Sequence, residues 1–110
     1  MPDKDGYPTQ HELKKIQKLK GRTKLPELLE HLESIWHWSE WGFVKRWGFV
    51  TFPYRNIVLK LELHTGGWSG NEDIIQELRK TDLWWLFWVR SDRGGHFYFE
   101  IPNKTLKGGD

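Results

Sequence analysis

The spacing of apolar residues predicts two helices at the start of the chain. Two apolar stripes have helical spacing, the first at Leu13, Ile16 and Leu19, and the second at Leu25, Leu28, Leu29, Leu32, Ile35 and Trp36. Thr9 and Glu12 match a capping box just before the first stripe, and Gly21 separates the two stripes. The pattern therefore predicts an N-terminal helical hairpin over residues 9–36.

Beyond residue 40 the pattern changes to that of β-strands. Residues 41–52 are aromatic and β-branched and contain Trp-Gly-Phe-Val twice, which predicts either two short strands or one bent strand. Apolar and polar residues alternate over 57–64, which predicts a half-buried strand. Almost every position in 83–90 is apolar, which favours a strand covered on both faces. Residues 95–101 are expected to be its hairpin partner.

One helix is expected between the strands, over 71–80. A glycine-rich loop leads into it, and Ser69 and Glu72 match a second capping box. The resulting order, ααβββαββ, predicts an α+β fold. In this fold an antiparallel sheet of four to five strands carries its helices on one face.

Length and composition set the domain organisation. A chain of 110 residues has room for one domain, which we expect over 9–102 between flexible tails at 1–8 and 103–110. The chain contains eight Trp and no Cys, so disulfides, thiolate metal sites and a cysteine nucleophile are excluded. No stretch approaches the ~20 apolar residues of a membrane span, so we expect an intracellular protein without a membrane partner.

The glycine-rich loop fits none of the common phosphate-binding or hydrolase motifs. It lacks the Gly-Lys-Ser/Thr ending of a Walker loop and the spacing of the dinucleotide fingerprint. A nucleophile elbow would need Gly one place beyond Gly70. No cofactor is therefore predicted, and a small enzyme built around residues 64–72 is the least favoured of three functional hypotheses.

Four titratable residues lie on the predicted strands, namely Glu62, His64, His96 and Glu100. Strand parity puts Glu62 and His64 on one face of their strand, and His96 and Glu100 on one face of theirs. If the two strands were neighbours, the cluster could bind a metal ion or transfer protons. The spacing does not require this, and polar residues on a solvent-facing sheet are the simpler interpretation, so no metal ligand is predicted.

Residues 45–52 resemble the RNP1 strand of RNA-recognition domains and cold-shock proteins. The match includes Lys45 and two aromatic residues that could stack on bases, Trp47 and Phe49. Arg46 stands where that pattern has Gly, and two helices precede the strand, which is not the order of elements in those families. The resemblance supports a nucleic-acid interface as an alternative hypothesis.

Basic residues of the first helix add to this alternative. The first 24 residues contain seven Lys/Arg against three Asp/Glu. Lys14, Lys15 and Lys18 share one side of the predicted helix and could contact phosphates. A single-stranded nucleic-acid binder using the basic stretch 14–24 and the RNP1-like strand is therefore the second hypothesis, although a solvated helix face would have the same composition.

Two segments resemble small uncharacterised proteins of phage and prophage genomes. They are Gly-Gly-Trp-Ser-Gly-Asn-Glu at 66–72 and Arg-Gly-Gly-His at 93–96. The resemblance covers about residues 60–101. It implies an accessory or structural protein that acts in the bacterial cytoplasm, with no activity attached.

The leading hypothesis is a non-catalytic protein that binds another protein or itself. Trp is favoured in the cores of interfaces, and this chain has more Trp than a core of its size needs. Strand parity would place Trp84 and Trp88 together and Trp85 on the other face. The predicted partner-binding residues are Trp68, Trp84, Trp88 and His96.

Overall fold

The computed structural model describes residues 7–50 and 56–107, which form six α-helices, one 3-10 helix and four strands. In chain order they are α1 (Gln10–Lys18), the 3-10 helix (Arg22–Lys24), α2 (Leu25–Ile35), α3 (Ser39–Gly42), β1 (Phe43–Val50), β2 (Asn56–His64), α4 (Ser69–Leu78), α5 (Asp82–Phe87), β3 (Trp88–Asp92), β4 (His96–Pro102) and α6 (Asn103–Leu106). Within these two ranges, no helix is both long and apolar enough to cross a bilayer.

The four strands form one antiparallel sheet in the order β1-β2-β4-β3. β2 and β4 are therefore central, and β1 and β3 are the edges. Leu59, Leu61 and Leu63 point from β2 into a core that they share with buried residues of α1, α2, α4 and α5. The predicted α+β class, with helices on one face of an antiparallel sheet, is confirmed.

The N-terminal hairpin is also confirmed. The Thr9 amide donates to Glu12 Oε1 at 2.8 Å, and the Glu12 amide donates to Thr9 Oγ1 at 3.2 Å, so the predicted capping box starts α1. The predicted apolar stripes face inward, because Ile16 and Leu25 are fully buried. Gln17 of α1 reaches α4 through hydrogen bonds from its Nε2 to the backbone oxygen and Oε1 of Glu77, each 3.0 Å long.

The prediction of a strand over 83–90 is wrong, because residues up to Phe87 belong to helix α5. An apolar run of this length fits a strand or a buried helix equally well, and the packing of Leu83 and Trp84 on the core decides for the helix. Leu83 is fully buried and Trp84 packs on the core, whereas Trp85 is 79% exposed. The strand starts only at Trp88, and all five residues of β3 are exposed rather than covered on both faces.

Three smaller predictions also need correction. Ser69 is the first residue of α4 and makes no capping bond, since its Oγ donates to Tyr7 Oη at 3.3 Å instead. The first Trp-Gly of the repeat lies in α3, so the part of 41–52 that the structure describes holds one strand. Residues 103–106, expected in an irregular tail, form helix α6.

Candidate functional site

The sheet has a polar face opposite the helices. On β2, Lys60, Glu62 and His64 alternate with the core leucines, so they project to the other side. The strand register extends this face across the sheet in three rows, which are His64–His96–Asp92, Val44–Glu62–Tyr98–Arg90 and Arg46–Lys60–Glu100. The helices that form the core pack on the leucine side, so these rows are left on an open face.

Two histidines meet at one end of this open face. His64 and His96 are directly opposite on β2 and β4, and their Nδ1 atoms are 2.7 Å apart. Oε1 of Glu62 lies 3.3 Å from His64 Nε2, and the same carboxylate is paired with Arg46. The structure thus joins three of the four titratable residues whose proximity the sequence left open. Glu100 is opposite Lys60, two rows away from the histidines.

The surroundings of His64 favour its neutral form. Burial lowers the pKa of His64, and the charges of His96 and Arg46 lower it further. A neutral imidazole has one donor and one acceptor nitrogen. The Glu62 carboxylate can only accept, so Nε2 of His64 carries the proton and Nδ1 of His64 accepts a proton from Nδ1 of His96.

The same geometry does not fit a metal centre. Tetrahedral zinc with ligands at ~2.0–2.1 Å holds its nitrogen ligands about 3.3 Å apart, which exceeds the 2.7 Å between the two Nδ1 atoms. Among residues 7–50 and 56–107, no group of three or more His, Cys, Asp or Glu residues is arranged to hold a metal ion.

A shallow cavity of about 250 Å³ lies on the open face, one row away from the histidine pair, and neither histidine lines it. Its polar lining carries both signs of charge and comprises Arg46, Lys60, Glu62, Arg90, Tyr98 and Glu100. The guanidinium carbon of Arg90 lies 4.0 Å from the centre of the Tyr98 ring, and Arg90 Nε donates to Asp92 Oδ2 at 3.3 Å. A small polar ligand fits the dimensions and chemistry of this cavity better than an apolar one.

The four predicted partner-binding residues do not come together. Trp84 packs on the core, with ring centres 5.6 Å from Phe97 and 5.4 Å from Phe99. Trp88 is 46% exposed at the β3 edge, and its Nε1 donates to Ser91 Oγ. His96 lies on the open face. The fourth, Trp68, belongs to an aromatic cluster at the start of α4.

That aromatic cluster joins the chain start to two loops. Trp68 packs against Tyr7 and stacks on His37, with ring centres 4.7 and 4.5 Å apart. Trp38 stacks on Trp41 at 5.6 Å and has a left-handed backbone, with φ +62°, which is unusual for a bulky residue. The cluster was missed because its members are scattered along the chain and no spacing connects them.

The residues of the nucleic-acid hypothesis fall on two elements. Lys14, Lys15 and Lys18 are exposed on α1. Lys45, Trp47 and Phe49, in contrast, share the side of β1 that faces the helices, because Lys45 and Trp47 are opposite the core residues Leu61 and Leu59. An RNP1 strand presents its aromatic residues on the open face of the sheet, where β1 instead has Arg46 and Gly48.

Four exposed apolar side chains lie where helix α5 leads into the edge strand β3. Trp85 is 79% exposed, and Leu86, Trp88 and Val89 follow it along the chain at 52%, 46% and 44%. Sequence reasoning missed this surface, since it interpreted the segment as a strand covered on both faces.

Comparisons with protein-family models, with curated proteins and with solved structures find no match for the chain. The two surfaces described above, the open face and the β3 edge, are therefore the candidate functional sites.

Proposed function

We propose that this protein is a non-catalytic binding module that associates with a second copy of itself through the free edge of β3. The observation that carries the proposal is that every residue of β3 is exposed and the adjoining Trp85 is 79% exposed. An edge strand offers unpaired backbone groups to another strand, and natural proteins usually protect such an edge. Large exposed aromatic residues beside it provide the apolar surface that a stable interface needs.

The charges of β3 favour a second copy as the partner. Arg90 and Asp92 lie two residues apart on the same face, on either side of Ser91. If two β3 strands pair antiparallel with Ser91 on the two-fold axis, Arg90 of each copy is opposite Asp92 of the other. Opposite charges in direct cross-strand pairs are favourable, so this register is self-complementary.

The other edge of the sheet is less suited to self-pairing. β1 also has exposed aromatic residues, with Trp47 at 61% and Phe49 at 54%. It carries Lys45 and Arg46 and no acidic residue of its own, so a pair of β1 strands has no acidic cross-strand partner for these residues. They instead pair with Glu33 and Glu62 of the same chain. Lysine and arginine at an edge are a common protection against strand pairing.

Burial of the exposed Trp85 ring would contribute substantially to the free energy of dimerisation. Covering the exposed part of one Trp ring removes roughly 150–200 Å² from water. At ~25 cal/mol/Å² this contributes about 4–5 kcal/mol for each copy. The two copies together gain about 8–10 kcal/mol, from which the loss of translational and rotational freedom subtracts about 4–15 kcal/mol. The Trp85 rings therefore favour a dimer without accounting alone for the ~8 kcal/mol of a micromolar complex, and the cross-strand contacts of β3 must supply the remainder.

Sedimentation and light scattering from 5 to 500 µM test the proposal. We expect a concentration-dependent dimer that Trp85→Ala and Arg90→Asp each weaken at least tenfold. The double variant Arg90→Asp/Asp92→Arg restores the opposite-charge pairs and should recover the dimer. Trp47→Ala, which removes an exposed Trp from the β1 edge, is the matched control. A wild-type protein that stays monomeric at 500 µM contradicts the proposal.

The wider role follows from the sequence resemblance. An accessory or structural protein of phage type, working in the bacterial cytoplasm, is the setting that the segments 66–72 and 93–96 imply, and we propose it on that basis. A self-associating module is compatible with such a role. Genes for morphogenesis, lysis or replication beside this one would support it.

A further inference from the structure

We propose that the open face of the sheet holds a second site, at which His96 Nε2 accepts a hydrogen bond from a hydroxyl group of a small anionic ligand and Arg90 binds the ligand's anion. The proposed ligand class is a hydroxyl-bearing anion, either a phosphorylated sugar or a hydroxycarboxylate. Arg90 is shared with the proposed β3 interface, whereas His96 lies on β4 and the exposed Trp85 is not part of this site.

A chain of hydrogen bonds runs from Glu62 through His64 to His96. Glu62 fixes the proton of His64 on Nε2, and Nδ1 of His64 then accepts the Nδ1 proton of His96. The neutral imidazole with its proton on Nδ1 has an unprotonated Nε2, and this is the form of His96 that the proposed site uses. In a carboxylate–histidine pair the carboxylate orients the imidazole ring and fixes its tautomer. Here His64 passes the same effect on to a second imidazole, that of His96. Glu62 and His64 are therefore positioning residues.

A second feature of the site is access to His96 Nε2. This nitrogen makes no hydrogen bond within residues 7–50 and 56–107, whereas Nδ1 of the same ring is occupied by His64. Gly94 lies beside it, and a Cβ at position 94 would stand 3.2 Å from His96 Nε2. Gly94 also has φ +93°, a conformation that favours glycine. The glycine turn thus leaves the acceptor nitrogen uncovered.

A third feature of the site is the anion-binding group. Arg90 and His96 are diagonal neighbours on the open face, about 7–8 Å apart at Cβ in such a pairing. The Arg90 guanidinium lies over the Tyr98 ring and uses Nε for Asp92. Its two terminal nitrogens make no hydrogen bond within the part of the chain that the structure describes, so in a copy whose β3 edge is unpaired they are available to a bidentate anion. A ligand of three to five carbons spans this distance. Arg90 also lines the cavity of about 250 Å³, which has room only for a small molecule, whereas His96 lies one row outside this cavity.

The other charged groups on this face each lie near a group of opposite charge. Arg46 pairs with Glu62, and Lys60 is opposite Glu100. Asp92 is beside Arg90 and opposite His96, where it opposes the binding of anions and keeps affinity modest. The Tyr98 ring contacts the His64 ring edge-on, with centres 6.0 Å apart.

Nitrogen NMR of ¹⁵N-histidine-labelled protein at pH 7.5 tests the hydrogen-bond chain directly. We expect His64 to carry its proton on Nε2 and His96 on Nδ1. In Glu62→Gln the side-chain amide can donate as well as accept, so the fixed tautomer of His64 should be lost. Observation of His96 with its proton on Nε2 would overturn the proposal, because no acceptor would then face the ligand.

Titration with ribose 5-phosphate and with malate tests the ligand class, with the histidine and arginine side-chain signals as the readout. Ribose and inorganic phosphate are the controls that each carry only one of the two groups. We expect at least one of the two complete probes to bind tenfold more tightly than either control, and His96→Gln and Arg90→Ala to abolish the difference. His11→Gln, an exposed histidine on α1, should change nothing.

The proposal is refuted if neither complete probe shifts these signals at 20 mM, or if inorganic phosphate binds as tightly as ribose 5-phosphate. Trp85→Ala, which acts on the β3 edge alone, should leave ligand binding intact. Failure of the dimer proposal and failure of this one are thereby distinguishable.

Discussion

Replacing Gly95 by Ala should destabilise the protein strongly, because this residue joins the turn after β3 to the end of β2. Gly95 has φ +82°, and its carbonyl accepts a hydrogen bond of 2.9 Å from the Thr65 amide. A Cβ at position 95 would overlap Oγ1 of Thr65, which is only 1% exposed and cannot swing away into solvent. The substitution therefore combines backbone strain with a steric clash.

The two terms can be given magnitudes. A left-handed conformation costs an L-residue other than glycine about 1–2 kcal/mol. Overpacking a filled site costs about 1–3 kcal/mol. We therefore expect Gly95→Ala to lower the free energy of unfolding by roughly 2–5 kcal/mol, a large part of the ~5–15 kcal/mol that stabilises an ordinary domain.

A double-mutant cycle separates the terms. Thr65→Ala removes Oγ1, so Gly95→Ala should cost only about 1–2 kcal/mol in that background, and the coupling free energy should be about 1–3 kcal/mol. Thr65→Ser keeps the oxygen and is the matched control, in which the full cost should persist. Urea denaturation followed by Trp fluorescence provides the unfolding free energies. A coupling free energy below about 0.5 kcal/mol would refute the steric argument.

Three further predictions concern the core, a buried amide and a titrating ring. Leu61→Ala removes a fully buried side chain and should lower the free energy of unfolding by about 2–5 kcal/mol. Trp85→Ala removes an exposed one and should change the free energy of unfolding of the monomer by less than ~0.5 kcal/mol. Urea denaturation at low protein concentration measures both. The buried side chain of Asn71 hydrogen-bonds the amide and the carbonyl of His37, each at 2.9 Å. Asn71→Ala should therefore lower the free energy of unfolding by about 1–3 kcal/mol and speed hydrogen exchange of the His37 amide. Asn71→Asp keeps only the acceptor and should also be less stable than the wild type. Folding lowers the pKa of His64, so the unfolded chain binds more protons than the folded one. The free energy of unfolding should therefore fall as the pH drops from 7.5 through 6.5 towards the lowered pKa of the folded state. A pH series of denaturation curves in which His64→Gln keeps the full pH dependence would contradict this.

Local sequence patterns were sufficient to predict those elements whose structure depends on interactions between near neighbours. The capping box at Thr9 and the stripe of α2 depend on residues three or four apart, which sequence reveals directly. The alternation in β2 was equally clear. The segment 83–90 was misjudged because a uniformly apolar run has no period that distinguishes a strand from a buried helix, and packing of Leu83 and Trp84 on the core settles it.

The sequence by itself determined the α+β class, the helical hairpin and which residues of β2 face the core. The sequence could place His64 on the polar face of one strand and His96 on the polar face of another. Only the pairing of β2 with β4 brought the two rings into contact. Likewise, Trp85 became a surface residue only once α5 and the exposed edge β3 had formed. The physical reason is the distance along the chain over which each interaction acts. Helix caps and strand alternation depend on near neighbours, whereas strand order and edge exposure depend on contacts between residues more than thirty positions apart, such as His64 and His96.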